Sequence, residues 1–117
     1  MDILYLKWQD YKTQKKYIIG ALGKDEEMYY FKLNKKGLNE AIAHGFNNII
    51  QFQDTEELYK SKVLFAMFKS RLPNIKDSSS EQLQEFLKEY NMKEYNEFEI
   101  LKQTKGILVT DYFSLES

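Results

Sequence analysis

Leu4, Leu6 and Trp8 alternate with Ile3, Tyr5 and Lys7 at the start of the chain. A period of two puts each set on its own side of an extended backbone, so this segment predicts a β-strand with one strongly apolar face. Gln9 to Lys16 is polar and predicts a long hairpin connection. Tyr17 to Leu22 predicts a second strand, Gly23-Lys24-Asp25-Glu26 a turn, and Met28 to Leu33 a third strand. Tyr29, Tyr30 and Phe31 suit a pleated, half-buried surface. A three-stranded meander is the simplest assembly of these pieces.

Asn34-Lys35-Lys36-Gly37 breaks the alternation. Leu38 to His44 predicts a short helix closed by Gly45, where positive φ is often needed. Ile49, Ile50 and Phe52 form a brief apolar stretch that suits another strand. Beyond it the pattern turns helical. Ser61 is placed to cap a helix reaching to about Leu72 and stopped by Pro73. Its apolar positions Leu64, Phe65, Met67, Phe68 and Leu72 cover more than one face, which predicts a buried, central helix. Ser78 and Glu81 have capping-box spacing. Leu83, Phe86, Leu87 and Tyr90 then recur at i, i+3, i+4 and i+7, the clearest helical stripe in the chain. Asn96 is placed to cap a helix through Phe98, Ile100 and Leu101, with Gly106 past its end. Ile107 to Phe113 predicts a last strand returning to the sheet. The expected fold is therefore α+β: an antiparallel sheet from the N-terminal strands plus the last strand, packed on about three C-terminal helices. Phe68, Phe86 and Leu101 are expected to be almost fully buried.

A chain of 117 residues, 43% hydrophobic, suits one domain spanning 1–117 with a real core. Its net charge of −1 argues against general electrostatic attraction to nucleic acid or membrane. The charge is uneven, however: residues 1–36 carry +3 and residues 37–117 carry −4. There is no cysteine, so no disulfide framework or thiolate metal site is possible, which fits a cytoplasmic protein. The first residues lack the basic region of a signal peptide, and no apolar run approaches a membrane span.

The catalytic signals are weak. The one histidine, His44, sits at a predicted helix end, where capping or solvation fits better than catalysis. The five glycines form no phosphate-binding loop, and a zinc site is improbable. Glu81, Glu85, Glu89 and Lys88 suit a wetted helix surface. The expectation is a non-enzymatic protein without cofactor or metal.

Arg71 is the only arginine. Its rigid fork suits either a carboxylate or phosphate of a partner, or an internal bridge to Asp111. Thr110-Asp111 interrupts the last apolar run and also suits a turn or bulge. Lysines 7, 12, 15, 16, 24, 32, 35 and 36 interleave with Trp8, Tyr11, Tyr17, Tyr29, Tyr30 and Phe31. A sheet of that kind holds single strands, although alternation requires half of these aromatics to be core.

The stretch Val63-Leu64-Phe65-Ala66-Met67-Phe68-Lys69-Ser70-Arg71-Leu72-Pro73 resembles the F-x-x-F-x-x-x-L-P signature of the HipA N-terminal subdomain. Phe98, Leu101 and Gly106 match that family's later F-x-x-L-x-x-x-x-G segment, and Gly20 its N-terminal hairpin. The chain also resembles small bacterial proteins, some associated with HIRAN domains. These share Tyr-x-Ser-x-x-Leu-Phe-x-x-Phe-x-x-Arg-Leu, here Tyr59 to Leu72, and a late Thr-x-Gly followed by Thr-Asp, here Thr104, Gly106, Thr110 and Asp111.

The first resemblance implies a free-standing, HipS-like, antitoxin-like binder that docks on and restrains a HipA-family serine/threonine kinase, with a helix-turn-helix repressor as a further partner. Trp8, Tyr59, Arg71 and Asp111 are the partner-binding candidates. The alternative is a HIRAN-associated nucleic-acid-binding module.

Overall fold

The computed structural model describes residues 1–47, 49, 51–73, 80–108 and 111–117. Its centre is a five-stranded antiparallel sheet in the order β4-β3-β2-β1-β5. The strands are β1 (Asp2–Gln9), β2 (Lys16–Lys24), β3 (Tyr29–Leu33), β4 (Tyr59–Ser61) and β5 (Phe113–Glu116). Four helices accompany it among the described residues: α1 (Lys35–Ala43), α2 (Ala66–Lys69), α3 (Ser80–Glu89) and α4 (Glu97–Thr104). The expected α+β class and the return of the last strand to the sheet are both present, and that strand pairs with β1.

Alternation works as expected in β1, where Leu4 and Leu6 are fully buried and Tyr5 is exposed. In β2 it changes phase. The pairing with β1 runs Lys7↔Ile18 and then Leu6↔Gly20, so Ile19 is an extra residue. Such a bulge switches which positions face inward. Tyr17 and Ile19 face the core before it, and Leu22 after it. Gly20 then faces the core directly beside Ile19. A β-carbon there would lie only 2.4 Å from the Phe31 ring, so the bulge needs a glycine.

The helix α1 begins one residue after Asn34, whose side-chain oxygen accepts from the Gly37 N–H at 2.9 Å. Its Leu38 and Ala41 are buried against the sheet. Gly37 permits the close approach to β2, since a β-carbon there would run into the Ile18 carbonyl. The helix ends at His44, and Gly45 has φ +101°, as the expected closure requires. Asn96 caps α4 as expected by accepting from the Glu99 N–H at 3.1 Å.

Four expectations need correction. Ser61 does not cap a long helix; it ends the edge strand β4, where Tyr59 pairs with Phe31 and Ser61 with Tyr29. The helix that follows is a single turn, in which Phe68 is fully buried and Met67 only partly so. The last strand starts at Phe113, not Ile107, which is exposed. Ile49 and Phe52 lie outside the strands and are buried as loop anchors, Phe52 4.2 Å from the Phe31 ring. Phe86 is only half-buried and packs on Tyr90, while Leu87 is the buried residue of α3. Phe68 and Leu101 are fully buried as expected. Ile50, Ser78 and Thr110 lie outside the described residues.

The core gathers the inner face of the sheet with Leu38, Ala41, Phe46, Ile49, Phe52, Leu64, Phe68, Phe98 and Leu101. Phe31 is its hub, in ring contact with both Phe52 and Phe68. No described helix is long and apolar enough to cross a membrane.

Candidate functional site

Three of the four partner-binding candidates meet in one place. Trp8 near the end of β1, Arg71 just after α2, and Asp111 before β5 all line a cleft of about 590 Å³. Strand pairing sets Trp8 opposite Phe113. Phe46, carried there by the turn after α1, touches Trp8 at 5.3 Å and meets Phe113 edge-on at 5.8 Å. Offset and edge-to-face contacts of this kind hold aromatic walls in fixed orientation. Met67, Ile49 and Tyr112 add further apolar lining, and Asn47 and Gln51 bring exposed amides.

Arg71 is 93% buried, so its charge needs a fixed counter-charge. Asp111 supplies it in a two-pronged bridge. Arg71 Nη2 donates to Asp111 Oδ2 at 2.6 Å, and Nη1 to Oδ1 at 3.2 Å. Nη1 also donates to the Gly106 carbonyl at 3.0 Å, and the guanidinium lies against the Phe113 ring at 5.1 Å. Asp111 Oδ1 in turn accepts from the Phe113 N–H at 3.1 Å. The bridge thus ties the turn after α2 to the turn after α4 and to the start of β5. Arg71 Nε is buried without a partner among the described residues. Leaving such a donor unmade costs about 1–3 kcal/mol.

Thr104 completes the second half of this lock. Its hydroxyl donates to the Ile100 carbonyl at 2.9 Å and accepts from the Gly106 N–H at 3.2 Å. The residues that carried the late Thr-x-Gly and Asp of the sequence pattern therefore fix the carbonyl and carboxylate that Arg71 grips.

Tyr59 stands apart. It packs on Phe52 at 5.0 Å, and its hydroxyl accepts from the Asp54 N–H at 3.0 Å, which closes a loop beside β4. It belongs to the core's rim and not to the cleft.

Beside the cleft, His44 makes the expected capping contact through its backbone N–H to the Ala41 carbonyl at 2.9 Å. Its Nδ1 lies 3.6 Å from Asp10 Oδ2, and its ring stacks on Tyr17. The Lys12 N–H donating to Asp10, helped by the Thr13 hydroxyl and the nearby His44, holds that carboxyl below its ordinary range. No group of three or more metal-ligating side chains occurs among the described residues.

Part of the lysine and aromatic set of the nucleic-acid reading is engaged within the fold. Tyr17, Tyr29 and Phe31 are buried in the core. Lys7 and Lys16 pair with Glu116, and Lys32 donates to the Thr55 and Glu56 carbonyls.

Phe46, Asn47, Gln51, Met67 and Phe113 belong to the cleft but were not singled out from sequence. Their one linear signal was that Phe46 follows a helix-closing glycine and Phe113 follows Asp111. Compared with known proteins, the chain matches no family model, no curated protein and no solved structure.

Proposed function

We propose that this chain is a non-enzymatic docking domain that binds a protein partner at the aromatic cleft, and that the partner is a HipA-family serine/threonine kinase which it restrains. One observation carries the docking part: Trp8, Arg71 and Asp111 converge on a cleft walled by aromatics and floored by a charge-neutral ion pair. Aromatic anchors and arginine dominate the energetics of protein contacts, and a site without net charge suits an apolar partner surface. The kinase part rests on the resemblance, whose Phe65–Pro73 segment brings Met67 and Arg71 to this cleft. The nucleic-acid reading has less support, because the aromatics it needs are largely core and several of its lysines are already engaged.

Co-expression with a HipA-like kinase tests the proposal. A stable complex is expected, with weak dependence on salt and reduced kinase autophosphorylation. Asn47→Arg, at an exposed position on the cleft, is expected to weaken the complex at least tenfold with an unchanged melting temperature. Single-stranded DNA binding that collapses between about 50 and 200 mM salt, without a kinase complex, would reverse the reading.

A further inference from the structure

His44 stands where one wall of the cleft is anchored. It closes α1, with its backbone N–H on the Ala41 carbonyl. Gly45 follows with φ +101°, and Phe46 then enters the cleft wall, its N–H also on the Ala41 carbonyl at 3.0 Å. The His44 ring stacks on Tyr17 at 5.4 Å and Tyr17 on Trp8 at 6.2 Å, while Trp8 touches Phe46 at 5.3 Å. Ring contacts thus run from His44 through Tyr17 to both aromatic walls, Trp8 and Phe46.

Facing the imidazole is the connection between β1 and β2, and Asp10 holds its shape. Asp10 Oδ1 accepts from the Lys12 N–H at 3.0 Å and Oδ2 from the Thr13 hydroxyl at 2.9 Å. Its own N–H donates to the Lys15 carbonyl, and its carbonyl accepts from the Gln14 N–H. Tyr11, on the same connection, packs on Tyr112 of the cleft at 6.0 Å. The Lys12 N–H above all keeps the Asp10 carboxyl charged below its ordinary range, so it is an anion wherever an imidazole gains its proton. His44 Nδ1 lies 3.6 Å from Asp10 Oδ2, too long for a hydrogen bond and within reach of an ion pair. Among the described residues, the packed elements bring three other charges toward this pair. Lys12 and Lys15 come from the connection, Lys15 over the Tyr17 ring at 5.2 Å, and Glu40 lies one turn earlier on α1. Lys16 is drawn away to Glu116.

A proton on His44 makes Nδ1 a charged donor aimed at a fixed carboxylate, and the approach closes into a charge-assisted N–H···O contact. That contact ties the turn that carries Phe46 to the connection that carries Tyr11. We propose that His44 is a proton-sensitive brace of the cleft: once protonated it bonds Asp10 and holds the Trp8 and Phe46 wall in the binding arrangement. The partner then binds more tightly on the acid side of the His44 midpoint and loses that gain as pH rises through it. By reciprocity, bound partner raises the midpoint. This rests on the docking reading above and adds to it the regulation of the same site.

The chain holds a single histidine and a single tryptophan, so the imidazole and the indole each give one assignable NMR signal. Both are followed from about pH 5 to about pH 8 in the wild type, in His44→Phe, which keeps a ring on Tyr17, and in His44→Gln. His44 is half-exposed, and neither replacement can take up a proton in this range. The Trp8 indole is expected to shift with the His44 midpoint in the wild type and to stay flat in both variants. Protection of the Phe46 amide from exchange is expected to be about threefold higher in the wild type than in the variants on the acid side, and equal on the alkaline side. A Trp8 signal that does not follow His44, or that titrates in the variants as well, overturns the proposal. So does a Trp8 shift without the difference in protection, because a nearby charge alone would produce it. With the HipA-like kinase, the wild-type complex is expected to tighten about threefold on acidification and the variant complexes to stay constant. Equal tightening in all three proteins, or none in the wild type, also overturns it. If no kinase complex forms at any pH while the indole and amide responses appear, the brace stands and the kinase is removed as partner.

Discussion

A guanidinium buried against Phe113 is a stringent residue to replace, because lysine offers a point charge in place of a planar fork. Arg71→Lys is expected to lower stability by about 1–3 kcal/mol, since it keeps the charge and loses the two-pronged geometry. Asp111→Ala is expected to cost more, about 3–5 kcal/mol, because it strands a buried cation. Chemical denaturation of both variants and of Arg71→Lys/Asp111→Ala measures the coupling. Additive losses in that cycle would show that the two residues do not act as a unit. The internal bridge was one of two readings open at the sequence level, and proximity to Asp111 was suggested by nothing stronger than complementary charge. What sequence lacked was the third partner, the Gly106 carbonyl, since a backbone oxygen leaves no mark on residue identity.

Helices and strands were legible wherever a single period ran uninterrupted. The β1 alternation and the Asn96 cap are cases where local chemistry and tertiary placement agree. The misreadings occurred where one apolar run served two structures. Ser61 to Leu72 is rich enough in apolar residues to suggest one continuous helix, yet Ser61 pairs with Tyr29 of β3 and only one helical turn follows. Phe86 shows the complementary error. Its stripe is real, but α3 lies at the margin of the core, so periodicity gave the face and not the depth of burial. The two phenylalanines should therefore separate on truncation. Phe68→Ala is expected to cost about 3–5 kcal/mol and Phe86→Ala less than about 2 kcal/mol. Equal losses in thermal denaturation would place α3 deeper than the structure does. Replacing the Asn96 cap with alanine is expected to cost about 1 kcal/mol, read in the same experiment.

At the scale of the molecule, Glu116 joins the last strand to the first two. Lys16 donates to it at 2.7 Å, Ser114 donates at 2.8 Å and Lys7 lies 3.8 Å away. The Lys16 and Ser114 hydrogen bonds, with Lys7 nearby, hold its carboxyl at about 2 instead of 4.5. A depressed folded value means that the stabilisation is present above the ordinary glutamate range. It is lost as pH falls from 4.5 toward about 2. After allowance for the solvent around Lys16, the contribution is about 1–2 kcal/mol. Asp10 and Asp25 are depressed as well, chiefly by the Lys12 and Glu27 backbone N–H groups, and act in the same sense. Glu116→Gln should remove part, and not all, of the acid-induced loss of stability. An unchanged slope below pH 4.5 would show that Glu116 carries none of it.

The pairing of β1 with β5 also has a consequence for synthesis. Leu6 sits opposite Leu115, and Tyr5 opposite Glu116, so one side of β1 waits for a segment made more than a hundred residues later. A nascent chain on the ribosome forms β1, β2, β3 and α1 from neighbours while that side of β1 remains an open row of backbone donors and acceptors. The Arg71 grip cannot close either, because Asp111 emerges only just before β5. The cleft and the outer strand are therefore completed together, once residues 111–116 have emerged, and a chain stalled before residue 111 would carry the sheet's open edge without the closed cleft.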